Sequence, residues 1–173
     1  MKKQLLHSGW QLTTVGKNDT IPATVPGSVY NDLLNAGRME DPYWRDNEMK
    51  ALALMDEDYR YNTTFDVNAD VLNSERVLLR CEGLDTIADI VLNGEKIASV
   101  CNMHRTWEFD VKDSLKTTGN TLEIVFHSPT KYIKEQDRIC HAGGSDDAMV
   151  GFPNLRKAHC MFGWDWGPRL PDA

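Results

Sequence analysis

No stretch of this sequence approaches the roughly 20 consecutive apolar residues that a membrane-crossing helix needs. Met1-Lys2-Lys3 has the positive start of a secretory signal, but His7, Ser8 and Gly9 interrupt the chain before an apolar stretch of about seven residues can form. The expectation is a soluble chain, off the membrane, whose export signal, if one exists, has been removed. Bacterial periplasm, bacterial cytoplasm and a lysosome stay open as compartments.

Positive charge is in deficit as well. Nineteen Lys and Arg face 26 Asp and Glu, for a formal net charge of −7. Binding a phosphate backbone requires clustered cations that displace counterions, so nucleic acid is not an expected partner.

Cysteine is scarce, and Cys81, Cys101, Cys140 and Cys160 form no C-x-x-C pair, which removes support for a zinc ribbon or a thioredoxin-type site. They are expected as free, mostly buried thiols, because Cys packs as a small hydrophobe and a domain of this size needs no staples. Two disulfides are the alternative.

Motifs of several large enzyme classes are missing: there is no G-x-S-x-G elbow, no P-loop and no H-E-x-x-H. His141 with Asp146 and Asp147 offers three ligand-type side chains, but in the run Gly143-Gly144-Ser145 a solvated surface loop is the better reading. Neither a metal nor a cofactor is expected.

What is present reads as one globular domain, residues 1–173, with 41% hydrophobic and 26% charged residues. Tyr59, Tyr61, Thr63, Phe65 and Val67 alternate with polar neighbours, the signature of a half-buried strand. Val77 to Cys81 and Thr86 to Leu92 follow, the second ending in Asn93-Gly94, a dipeptide suited to a tight hairpin, with Lys96 to Val100 returning. Trp107 to Val111 and Leu122 to Phe126 alternate likewise around a turn at Gly119-Asn120.

Strands at such short spacing predict an antiparallel all-β sandwich of roughly eight strands. Tyr61, Phe65, Leu79, Ile90, Leu92, Phe109, Ile124 and Phe126 are expected to face inward. One or two short helices accompany it as connections: one capped by Ser28 and closed by Gly37, another opened by Pro129 and running to about Cys140.

Two segments carry candidate chemistry. In Phe162-Gly163-Trp164-Asp165-Trp166-Gly167-Pro168-Arg169, Trp164 and Trp166 flank an acid, combining apolar faces for a pyranose ring with a carboxylate for its hydroxyls. The bland alternative has both Trp filling the core while Asp165 caps a turn. Asp41-Pro42-Tyr43-Trp44-Arg45-Asp46-Asn47-Glu48 again sets aromatics among hydroxyl-binding side chains, with a solvated loop as its alternative. The acids Asp56-Glu57-Asp58 read as solvated charge rather than a catalytic pair.

These segments, with Gly9-Trp10, Val25-Pro26-Gly27-Ser28-Val29-Tyr30, Asp32-Leu33-Leu34, Gly83-Leu84-Asp85-Thr86, Leu92-Asn93-Gly94 and Arg156-Lys157-Ala158, resemble the N-terminal domain of β-mannosidases in glycoside hydrolase family 2. The resemblance implies a jelly-roll, galactose-binding-like sandwich, cut before the remaining domains and a catalytic (β/α)₈ barrel.

It also implies that the barrel holds the two catalytic Glu residues, so this chain has no catalytic residue and should be inactive alone. Asp165, Trp164 and Trp166 would belong to the −1 sugar subsite, and Asn47 would match an Asn that family β-galactosidases supply. A β-mannoside or oligosaccharide substrate is the implied ligand, and the catalytic domain the implied intramolecular partner. A free-standing carbohydrate-binding module and a domain from a family 2 β-galactosidase or β-glucuronidase are the other readings.

Overall fold

The computed structural model describes residues 2–143, 148–163 and 167–173. Eight strands appear among them: β1 (Gln11–Thr14), β2 (Thr20–Pro22), β3 (Tyr59–Phe65), β4 (Leu78–Glu82), β5 (Ile87–Leu92), β6 (Glu95–Cys101), β7 (Thr106–Asp110) and β8 (Asn120–Phe126). Six form an antiparallel sheet in the order β2-β1-β3-β8-β5-β6, while β4 and β7 pair in a second sheet.

Side chains from both sheets meet in one buried cluster, as expected of a sandwich. Tyr61, Ile90, Leu92 and Ile124 are buried there, and Phe65, Leu79, Phe109 and Phe126 pack against it half-buried, so all eight residues expected to face inward do so. In the β5–β6 hairpin Asn93 and Gly94 take φ of 53° and 83°, the left-handed pair that matches the strand twist.

Helix α1 (Val29–Asn35) starts where Ser28 accepts a hydrogen bond from the Asn31 amide, and α4 (Pro129–Ile139) starts at Ser128 with Pro129 in its first turn. The structure adds α2 (Asn47–Leu54) and α3 (Ala69–Leu72). Short, weakly amphipathic segments such as these carry little periodic signal. Nor is α1 a mere connection, since Val29, Tyr30 and Leu33 enter the main core. Among the described residues no helix is long and apolar enough to cross a membrane.

All four cysteines are free, yet only Cys81 is buried; Cys101, Cys140 and Cys160 are exposed, which corrects the expectation of mostly buried thiols. Each stands where the chain leaves the core. Cys101 follows inward-facing Val100 at the end of β6, Cys140 caps α4, and Cys160 lies in a 3₁₀ turn.

A smaller apolar cluster positions the C-terminal segment. Ile133 of α4, Phe152, Leu155 and Phe162 bury one another, and Phe162 is fully covered. Gly151 makes this approach possible: its φ is 86°, and a Cβ there would lie 2.5 Å from the Ile133 carbonyl oxygen. The chain is thus held against α4 just before the Trp-Asp-Trp run.

Candidate functional site

The two segments singled out in the sequence lie side by side. Asp41 opens the first: its carboxylate accepts from the Tyr43 amide at 2.9 Å, and its carbonyl accepts from the Trp44 amide at 3.1 Å. The chain then turns through Arg45, at φ 54°, whose guanidinium lies 5.4 Å from the Trp44 ring centroid. Trp44 and Tyr43 remain largely exposed.

Asn47 begins α2 and is buried, its side-chain amide donating to the Asp41 carbonyl at 3.0 Å. Its present partner is therefore backbone, and the same bond closes the turn that presents Tyr43 and Trp44. The segment expected as a turn or loop ends in this helix because Asn47 and Glu48 supply a first turn that the apolar residues Ala51 and Met55 anchor in the core.

The second segment is pinched at its base. Phe162 and Arg169 form an antiparallel bridge, and the Leu170 amide donates to the Met161 carbonyl at 2.9 Å. Arg169 then reaches α2, donating to Glu48 through its backbone amide at 3.1 Å and Nε at 2.7 Å. Partial burial raises the Glu48 carboxyl, but the Arg169 hydrogen bonds outweigh it and hold the group below its ordinary range. Trp164, Asp165 and Trp166 lie outside the described residues, as do Asp146 and Asp147.

Between the two segments and α1 runs a cleft of about 460 Å³ bordered by Asn31, Asp41, Tyr43, Met161, Pro168 and Asp172. Apolar walls with a few polar groups suit a ligand such as a sugar. Its acids are engaged with backbone: Asp41 as above, and Asp172 with the Tyr30 amide at 3.2 Å and the Ala173 amide at 2.8 Å. Burial raises the Asp172 carboxyl despite those donors.

A buried ion pair, for which no short-range sequence pattern exists, lies at the stem of the loop. The Lys157 ammonium has 0% side-chain exposure and meets the Asp85 carboxylate from the turn between β4 and β5. Burial lowers the Lys157 ammonium below its ordinary value, with Asp85 opposing. The preceding residue is tied to the end of β6, where the Met103 amide donates to the Arg156 carbonyl at 3.1 Å. Among the described residues no group of three or more His, Cys, Asp or Glu side chains is arranged to hold a metal ion.

Comparison with known proteins bears on this arrangement directly. The profile of the glycosyl hydrolase 2 galactose-binding-domain-like family matches residues 10–173. The chain belongs to this family.

β-Mannosidase from Bos taurus is 32% identical over 184 residues, covering 96% of this chain and 20% of the relative. β-Mannosidase A from Emericella nidulans is 36% identical over 169 residues, covering 92% of this chain and 17% of its own length. The crystal structure of β-D-mannosidase from Dictyoglomus thermophilum superposes with a TM-score of 0.86 at 35% identity, covering 97% of this chain and 21% of that one. The chain therefore spans about a fifth of the length of the relatives it matches, and is the N-terminal domain type of β-mannosidase-like family 2 proteins.

Proposed function

We propose that this family 2 domain is the non-catalytic sugar-binding sandwich of a retaining β-mannosidase-like glycosidase. In this reading the Phe162–Arg169 loop lends Asp165, Trp164 and Trp166 to the −1 subsite, and the turn around Asn47 forms the adjoining wall. The observation that carries it is the clasp between Glu48 and Arg169, which joins the two sugar-suited segments at one cleft.

Retaining hydrolysis needs two carboxylates about 5–5.5 Å apart, one as nucleophile and one as acid/base. Those belong to the catalytic domain with which this sandwich would pack. The role left to this chain is to bind and orient the sugar, with the acid accepting paired hydroxyls and indole faces covering the apolar side of the ring.

The test is Asp165→Ala in the full-length enzyme, which should lower kcat/KM for an aryl β-mannoside by at least about tenfold, the value of one lost charge-assisted hydrogen bond of roughly 1.5 kcal/mol. Unchanged kinetics would remove Asp165 from the subsite. The isolated chain should bind mannose no tighter than the millimolar range, about −4 kcal/mol, since half of the pocket is missing. Micromolar binding would favour a free-standing carbohydrate-binding module.

A further inference from the structure

Of the Phe, Tyr and Trp side chains among the described residues, only Tyr43 and Trp44 are exposed, at 75% and 62%, and they are neighbours on one turn. Large apolar rings gain by leaving water, so two of them kept at the surface call for a partner.

The turn that carries them is fixed. Asp41 accepts from the Tyr43 amide through its carboxylate and from the Trp44 amide and the buried Asn47 side chain through its carbonyl, and the Asn47 amide donates to the Trp44 carbonyl at 3.2 Å. Arg45, a residue with a Cβ, is held in the left-handed region at φ 54°, and its guanidinium lies 5.4 Å from the Trp44 ring centroid. A ligand that stacks on groups already ordered in this way has less freedom to freeze on binding.

The surroundings favour a small ligand over a flat protein face. Tyr43 borders the cleft of about 460 Å³, a size within the range of about 300–1,000 Å³ that small-molecule sites occupy, and Trp44 is the next residue beyond it. A pyranose offers C–H faces to aromatic rings and hydroxyls around its edge, and the same turn supplies donors on exposed Arg45 and acceptors on exposed Asp46.

We propose that Tyr43 and Trp44, on the reading that the cleft takes sugar, form a second sugar contact beside it that holds the ring joined to the terminal mannose. They would then favour mannosides whose leaving group is itself a sugar.

The experiment compares, in the full-length enzyme, kcat/KM for a β-linked mannobiose with kcat/KM for methyl β-mannoside, whose leaving group has no ring. Tyr43→Ala and Trp44→Ala should each lower the ratio of mannobiose to methyl mannoside about 3- to 10-fold, the scale of one lost stacking contact. Trp44→Phe, which keeps an aromatic face, should restore most of the ratio. Two exposed positions tested separately leave one variant to carry the test if the other does not fold.

An unchanged ratio would overturn the inference. If it came with equal losses on both substrates and a lower melting temperature, the rings would be a packing face for the rest of the chain instead. Asp165→Ala should lower both substrates alike; if it lowers neither, the −1 assignment fails, while the ratio still decides the role of Tyr43 and Trp44 by itself.

Discussion

Arg169 clasps Glu48 across 121 residues of sequence, giving both its backbone amide and its Nε to the same carboxylate oxygen. The contact joins the chain at Arg169, beyond the Trp-Asp-Trp run of the sequence, to the first turn of α2. Glu48→Gln weakens a charge-assisted double contact while keeping its shape. In the full-length enzyme it should raise KM for an aryl β-mannoside severalfold, with thermal stability lowered only slightly, since partly exposed ion pairs contribute about 0.2–1 kcal/mol. Steady-state kinetics and a melting curve on one preparation separate the two effects.

His127 supplies a pH dependence. Its Nδ1 lies 3.1 Å from Asp58 and its Nε2 3.2 Å from Asp89, while Lys96 also faces Asp89. Burial lowers the imidazolium, but the two carboxylates outweigh burial and raise it above its ordinary value. The stabilisation is thus complete below the unfolded pKa of about 6.5 and is lost as pH rises through the higher folded value. Thermal melts from pH 5 to 9 should show this decline, and His127→Gln should flatten it.

The same cluster acts in the opposite sense at low pH. Asp89 loses some ionisation tendency to burial, yet bonds from Lys96, Ser99 and His127 hold its carboxyl down to about 2. Its contribution is present above the unfolded value of about 3.9 and disappears as pH falls toward 2. Asp89→Asn should remove part of the stability measured by urea unfolding at pH 6 and almost none of that remaining at pH 2.

Ile90 lies on β5, next to the edge strand β6 of the large sheet, fully covered, between Ile124 on β8 and Ala98 on β6. Ile90→Ala removes buried methylenes from a site fixed on both sides by strand pairing, so the gap cannot close easily. It should cost about 2–5 kcal/mol, read as a lower urea midpoint at unchanged slope.

Thiol accessibility offers a direct test of the packing. Cys101, Cys140 and Cys160 should react with a thiol reagent in the native chain, while Cys81 reacts only on unfolding. Burial raises the Cys81 thiol to about 11, which suppresses the reactive thiolate as well as access to it. A native chain in which all four thiols react at once would contradict the burial of Cys81.

The sandwich was legible because strands carry a period-two pattern that survives in the sequence. Tyr59, Tyr61 and Thr63 are buried while Arg60 and Thr64 between and after them are exposed, since one face of the strand is in the core. Ser28 and Pro129 marked helix starts for equally local reasons. Helix α2 was not legible, because its burial depends on Ala51 and Met55 meeting strands distant in sequence.

By itself, then, the sequence determined the alternating strands, the hairpin at Asn93-Gly94, two capped helices, and the aromatic-acid segments that resemble β-mannosidase sugar loops, all of them properties carried within a few neighbouring residues. Only the tertiary structure decided that Arg169 meets Glu48, that Lys157 is buried on Asp85, and that three of four thiols face solvent. The physical reason is range. Backbone torsions and side-chain period are set by near neighbours, whereas desolvation and ion pairing depend on which distant segments the packed core brings together.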